Sequence, residues 1–311
     1  MIATGSAISA FAPQAAADQV CKPRRPLPPV VARSMGPCGF EPDRLSFTGA
    51  PLQQAACLLR PVGLRARLGD PLDALPPVLA ERIGGTTDLP ARETLSAFLS
   101  RLDLEWEFAA ALWQPVARAR DGDRDAPAAR YLVIHDTSGP NYGGRAFPAD
   151  IDTHRRINNL ARFRCSDGHH AAHVIINRRG ESFLGHDFAV PWRAMKFERA
   201  TRFGTDLKGL FLHVELIQPR RRAPGFGRRN DSAAPDPGFT PAQYDRLALV
   251  YAVASVRAGS WLIPAFHAVI DAEMRGGHDD PQNFDLDAFA QALSRLLDRL
   301  HGREEAVPVT P

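Results

Sequence analysis

The sequence predicts an α/β fold: a central mixed β-sheet flanked by helices, preceded by a smaller, mostly helical N-terminal region. Three observations predict it. From Tyr131 onward short apolar, β-rich runs alternate with helical periodicity. Two late segments, opening at Thr240 and Leu286, have strong helical patterns. The stretch before Tyr131 is helical in spacing and ends in the polar run ARDGDRDAPAAR at 119–130.

Each element has its own justification. LSAFLSRLDLEWEFAAALW (95–113) places Leu95, Phe98, Leu99 and Leu102 on one helical face, so the spacing predicts a helix throughout. YLVIH (131–135) reads as a buried strand that ends on a histidine before the turn-forming Asp-Thr-Ser-Gly-Pro. HVIIN (173–177) and SFLGH (182–186) flank Arg-Arg-Gly-Glu and predict a hairpin. In FLHVELI (211–217) a period of two puts Phe211, His213, Glu215 and Ile217 on one face, leaving Leu212, Val214 and Leu216 on the other. The segment 238–259 has Thr240 as N-cap, Pro241 at the first helical position, Gln243 completing a capping box and Gly259 as its stop. Tyr244, Leu247, Ala248, Tyr251 and Ala254 form its inward stripe. The last helix begins near Leu286, aligns Phe289, Leu293, Leu296, Leu297 and Leu300, and ends before Gly302.

A chain of 311 residues that is 44% hydrophobic can bury a sizeable core and divides into more than one unit. The divisions fall at a leader and Pro/Arg-rich linker (1–35), a region of unknown role (36–125), a main domain (126–302) and a charged tail (303–311). A net charge of +3 is too small to argue for nucleic acid, and the basic excess gathers in PRRR (219–222) and GRR (227–229). No window approaches the roughly 20 apolar residues of a membrane span. The N-terminus is a weak secretory signal, without a basic start and with only a short apolar run, so a periplasmic or secreted location is expected, with a cytoplasmic one left open. Cys38 and Cys57 bracket a Pro/Gly-containing segment. Either they form a bridge, adding about 3 kcal/mol in an exported protein, or they are small buried thiols of a reduced one. Cys165, in RCSDG, shows no nucleophile pattern.

The stretch HAVIDAEMRGGHDDPQNFD (267–285) crowds histidines and carboxylates around a Gly-Gly turn. Such a crowd is either a solvated charged loop or part of a metal site. His135, mounted where a strand runs into a loop, supplies the distant partner that a site would need. His135, His267 and Asp280 are the candidate ligands. Two imidazoles and a carboxylate suit Zn2+, with a fourth position left open for water as in catalytic zinc sites.

In order, these segments resemble the zinc-dependent N-acetylmuramoyl-L-alanine amidases, the family shared by phage amidases, muropeptide-recycling amidases and peptidoglycan recognition proteins, over roughly 131–300. YLVIHDTSGP resembles the strand Ile-His-His/Asp-Thr that carries the first metal histidine. HVIINRRGE is similar to His-φ-φ-Ile-x-Arg-x-Gly, and LHVELI to Ile-Gly-Ile-Glu-Leu with Glu215 in the place of its acid. FTPAQY repeats Phe-Thr-x-x-Gln-Tyr, and His267 with DPQNF (280–284) fills the closing histidine and Asp-Pro-to-Phe pattern.

The resemblance implies a peptidoglycan hydrolase cutting the amide between N-acetylmuramic acid and L-alanine of the stem peptide, acting as a monomer on peptidoglycan or muropeptide fragments. It assigns metal binding to His135, His267 and Asp280, with Asp280 preferred over Asp279 because it directly precedes proline. Glu215 is the expected general base and acid; its bland alternative is a buried acid paired with an arginine. Relatives often place a lysine two residues before the metal acid. His278 stands there instead, and as an oxyanion donor it implies an acid-shifted pH optimum if it acts as histidinium. Asp271, four residues after His267, either orients that histidine or is simply exposed, with exposure slightly favoured, and His173 is expected to be structural or a substrate contact. His169 and His170 are expected to be solvated. Arg193 replaces a family histidine after Trp192, while Asn141 and Tyr142 line either the groove or a plain turn. The arginines of PRRR are expected either to be solvated or to steer stem-peptide carboxylates. Two other readings remain: a non-catalytic peptidoglycan-binding module, and a cell-wall docking protein whose N-terminal region carries the main role.

Overall fold

A computed structural model describes residues 29–302, except 35, 105–106, 167, 204–205, 224 and 226–232. The expected leader, most of the Pro/Arg-rich linker, part of the basic insertion and the charged tail lie outside the described residues.

The fold is α/β, as expected. Seven strands are formed among the described residues: β1 (Phe40–Glu41), β2 (Ser46–Phe47), β3 (Tyr131–Asp136), β4 (Val174–Ile176), β5 (Ser182–Leu184), β6 (Phe211–Leu216) and β7 (Ile263–Phe266). The helices are α1 (Pro51–Leu58), α2 (Pro77–Ala80), α3 (Arg92–Arg101), the single turn α4 (Ala119–Gly122), α5 (Pro241–Ala258), α6 (His267–Ile270) and α7 (Leu286–Leu300). The main sheet has the order β5-β4-β6-β3-β7. β4, β6, β3 and β7 run parallel, and β5 closes one edge antiparallel to β4. All six residues of β3 are buried, as expected of a parallel strand covered on both faces.

The sheet's register positions the site. β3 and β6 pair Tyr131 with Phe211, Val133 with His213 and His135 with Glu215. Neighbours in register share a face, so this face changes from aromatic to ionisable towards the carboxyl ends of the strands. At its aromatic end Tyr131 stacks on Phe211, and Phe47 and Phe197 meet these rings edge-on. The Tyr131 hydroxyl accepts the Phe47 N–H at 2.9 Å and donates to Gln54 Oε1 at 2.8 Å, tying the N-terminal region to the sheet.

The N-terminal region therefore shares one continuous core with the sheet, from Phe40 through Leu99 to Leu300. This explains why α5 is buried well beyond the expected stripe, with every residue from Leu247 to Arg257 inside. Arg257 donates to the carbonyls of Gln114 and Pro115 on the N-terminal side. Thr240 caps α5 in a full capping box and Gly259 ends it in the left-handed region.

Two elements depart from the expected pattern. The helix expected over 95–113 ends at Arg101. Asp103 adopts φ 55°, and Leu104 N–H returns to Leu99 O, a Schellman-type stop that aspartate tolerates better than most residues. The strand β7, not expected from Ile-Pro-Ala-Phe, forms because Pro264 lies on the sheet's outermost strand, where a missing N–H is tolerated.

Candidate metal centre

His135, Glu215 and His267 collect at the carboxyl ends of three parallel strands, where α/β sheets present their ligand crevices. His135 is the fifth residue of β3, Glu215 faces it from β6, and His267 opens α6 directly after β7. Asp280 arrives by the return loop. Its carbonyl accepts the Ala268 N–H at 2.8 Å, and its Oδ2 accepts the Asp136 N–H at 3.1 Å.

The three candidate ligands converge and are buried. His135 Nδ1 lies 2.9 Å from His267 Nδ1, and His267 Nδ1 lies 3.0 Å from Asp280 Oδ2. His135 Nδ1 is 3.7 Å from the same carboxylate oxygen. These spacings bracket the ~3.3 Å edge of a tetrahedron with zinc-ligand bonds near 2.0 Å. Asp280 Oδ1, buried, has no hydrogen-bond partner among the described residues. Donor chemistry and the unsatisfied oxygen both fit a cation, so the grouping could bind a metal ion. A second grouping, His267, Asp271 and His278, shares His267 with the first and differs in drawing on an exposed histidine, His278, where all three members of the first are buried.

Asp271 corrects an expectation. It is buried rather than exposed, and its Oδ2 lies 3.0 Å from His267 Nε2. Lys196 N–H and Phe197 N–H hold its two oxygens at 3.1 and 2.8 Å. A carboxylate on Nε2 leaves Nδ1 as the nitrogen turned towards His135 and Asp280. On the other ring, His135 Nε2 lies 3.0 Å from His213 Nδ1, and His213 Nε2 is 3.3 Å from Glu198 Oε2.

Electrostatics follow from these contacts. Burial pushes the His267 pKa down, but Asp280 and Asp271 outweigh it and raise the pKa to about 10. Burial opposes ionisation of Asp280, yet His267 beside it brings its pKa down to about 2. Without a metal, a proton on His267 thus supplies the positive charge that the carboxylates require. Asp136 is raised to about 6, mainly by burial, which Arg220 only partly offsets.

His278 stacks on His267 at 4.3 Å, with its Nδ1 3.6 Å from Asp280 Oδ1 and its side chain 46% exposed. Desolvation, then the adjacent His267 charge, hold its pKa at about 4. It is therefore neutral from pH 5 to 8, and the acid-shifted optimum expected of a histidinium donor does not follow. Asp279 is a partly exposed neighbour that accepts from Gln282 Nε2.

Arg220 differs from both expectations for the basic insertion. It is 1% exposed and its Nη2 donates to Asp136 Oδ2 at 2.6 Å, so it is a buried partner of the residue after His135. Arg221 and Arg222 are half-buried beside the loop of Asn141 and Tyr142, which pairs with 220–222 at the rim. His173 is buried, accepting the His213 N–H on Nδ1 and facing Val190 O with Nε2. His169 and His170 are half-buried rather than solvated; His170 Nδ1 accepts the Cys165 N–H. Trp192 stacks on His186 at 3.9 Å. Cys38 and Cys57 form a disulfide, and Cys165 is disulfide-bonded as well.

Sequence reasoning missed His213 as a neighbour of the candidate ligand His135, although its place on the Glu215 face was legible. It had no signal for Glu198. Compared with known protein families, curated proteins and solved structures, the chain gives no match.

Proposed function

We propose that this chain is a zinc-dependent N-acetylmuramoyl-L-alanine amidase of the peptidoglycan. The observation that carries the reading is the convergence of His135, His267 and Asp280, from three separate segments, beside Glu215 at the strand ends. The ordered motif resemblance from 131 to 300 supplies the substrate class.

His135, His267 and Asp280 would hold the zinc. Bound there, it would supply Lewis acidity, polarising the scissile carbonyl and making water nucleophilic near neutral pH. Glu215 accepts the proton of the attacking water as its oxygen bonds to the lactyl carbonyl carbon. The C–N bond to L-alanine then breaks, and Glu215 returns that proton to the leaving amine. His278, as a neutral N–H donor at the rim, faces the developing oxyanion. Disulfides persist in oxidising compartments, which supports a periplasmic or secreted location, where peptidoglycan lies. The partners are then peptidoglycan or muropeptide fragments, bound by a monomer.

Zinc-loaded protein incubated with sacculi should release stem peptides beginning at L-alanine, with the lactyl carboxylate left on the glycan, as read by mass spectrometry. His135→Ala should release none. Binding of sacculi without cleavage by zinc-loaded protein would instead make the chain a peptidoglycan-binding module.

A further inference from the structure

A cavity of about 220 Å3 shares no lining residue with the metal centre. It opens where the turn between β4 and β5 meets α3, α5 and α7. Its lining carries four arginines, Arg179, Arg246, Arg295 and Arg299, against one carboxylate, Asp245. Phe98, Leu249 and Leu296, all buried, supply apolar wall.

We propose that this cavity binds a phosphate group, carried either by a soluble phosphate ester or by a lipid headgroup. The proposal is independent of the amidase reading.

The sequence supplies the cations and the fold confines them. Arg295 and Arg299 are spaced i, i+4 on α7 and so share a helix face. Arg246 comes from the second turn of α5. Arg179 is brought in by the hairpin turn. At Gly180, with φ 76°, an added Cβ would lie 2.7 Å from Ala242 O, so this turn sits directly on the start of α5.

Charge and shape decide what such a cavity takes. Arg295 Nη2 donates to Asp245 Oδ1 at 2.6 Å, and Arg179 Nη2 lies 3.2 Å from Glu181 Oε1. Arg246 is half-buried, and its Nη1 donates at 3.0 Å to the Ser182 hydroxyl, a neutral acceptor. Burial lowers the Arg246 pKa, and the carboxylates of Glu107 and Glu181 only partly offset this. An anion in the cavity would favour the charged guanidinium and relieve the crowding of like charges. Phosphate suits the planar forks of arginine, because its oxygens can accept from several guanidiniums at once. Ala242, also in the lining, adds the first turn of an 18-residue helix, whose dipole favours negative charge there. The volume is below the roughly 300–1,000 Å3 of sites for drug-sized ligands, which suits a single charged group.

The test titrates the full chain, 15N-labelled at arginine, with inorganic phosphate in about 0.1 M salt. A chelator is present throughout, so that no metal-bound phosphate contributes. Side-chain signals of the four arginines should shift together, with a Kd of about 1 mM or below. Arg246→Gln and Arg299→Gln should each weaken binding about tenfold, whereas Arg44→Gln, exposed and outside the cavity, should leave it unchanged. Should Arg246→Gln not fold, Arg179→Gln takes its place. Phosphatidylglycerol vesicles that retain the unaltered chain but not Arg299→Gln would identify a lipid headgroup as the source of the phosphate. Phosphate binding without vesicle retention would identify a soluble ester. The proposal is overturned if phosphate leaves these arginine signals unmoved, or if the cavity variants bind as the unaltered chain does. It is equally overturned if Arg44→Gln weakens binding as much as they do, since bulk charge alone would then account for it.

Discussion

Zinc binding should be limited by a proton. In the metal-free protein His267 is buried between Asp280 and Asp271, which hold its pKa at about 10. Its Nδ1, the nitrogen facing His135, must lose that proton before it can coordinate. At pH 7 the gap of three units corresponds to about 4 kcal/mol of binding free energy, at 1.36 kcal/mol per unit. Apparent zinc affinity should therefore rise about tenfold per pH unit, or about 30-fold between pH 7 and 8.5. A histidine with its ordinary pKa near 6.5 would level off above pH 7. Chelator competition across this range, with calorimetry in buffers of different ionisation enthalpy, measures both the slope and the proton released. A flat affinity above pH 7, with no proton released at pH 8, would refute the charge arrangement described for the site. The same shift has a stability counterpart. Because the folded pKa of His267 is raised, its contribution is fully present below pH ~6.5 and is lost as pH climbs through about 10. Asp280, with its pKa lowered to about 2, contributes above pH ~4 and loses that contribution as pH falls through about 2. Metal-free protein should consequently melt at lower temperature at pH 9.5 than at pH 6.

Other outcomes follow from individual contacts. Arg220→Ser strands the buried Asp136 carboxylate and should cost about 3–5 kcal/mol in urea unfolding, whereas Arg222→Ser should leave the midpoint nearly unchanged; equal effects would remove the distinction between buried and rim arginines. Glu215→Gln should lower kcat at least ~100-fold with zinc content unchanged, since it removes the proton carrier but no proposed ligand; near-normal turnover would exclude that role. His278→Gln should lower activity by the same factor at pH 5 and pH 8, because His278 is neutral at both; a loss confined to acid pH would restore the histidinium donor. Replacing Cys38 and Cys57 by serine opens a loop of sequence separation 19 and should cost about 3 kcal/mol in chemical denaturation; an unchanged midpoint would show that the loop is held by its packing alone.

The parts of the fold that could be read in advance are those whose signals are local. Thr240, Pro241, Gln243 and Gly259 specify both ends of α5 within their own segment. The alternation in 211–217 likewise anticipates that His213 and Glu215 share a face. The stop at Asp103 was less legible, because the apolar spacing continues past it and only the left-handed turn ends the helix. Proline disguised β7, since Pro264 is compatible with a strand only at an edge, and strand order is not a local property. Asp271 was misjudged for a related reason. Its charge suggests exposure, but the amides of residues 196 and 197, 75 and 74 positions away, satisfy it in the interior.

By itself the sequence determined the α/β class, the principal strands and helices, and a short list of residues able to bind a metal. These depend on periodicity, capping and side-chain chemistry, which act over a few positions. Only the tertiary structure decided which members of that list meet. His135 and His267 are 132 residues apart, and their nitrogens reach 2.9 Å because β7 lies directly beside β3. The setting of two nearby carboxylates was likewise decided by packing: Glu198 comes to 3.3 Å from His213, and Asp271, four residues from His267 in sequence, is held in the interior by the amides of residues 196 and 197. The physical reason is that a hydrogen bond or a metal ligand set is specified by position in space, and strand order brings remote positions together.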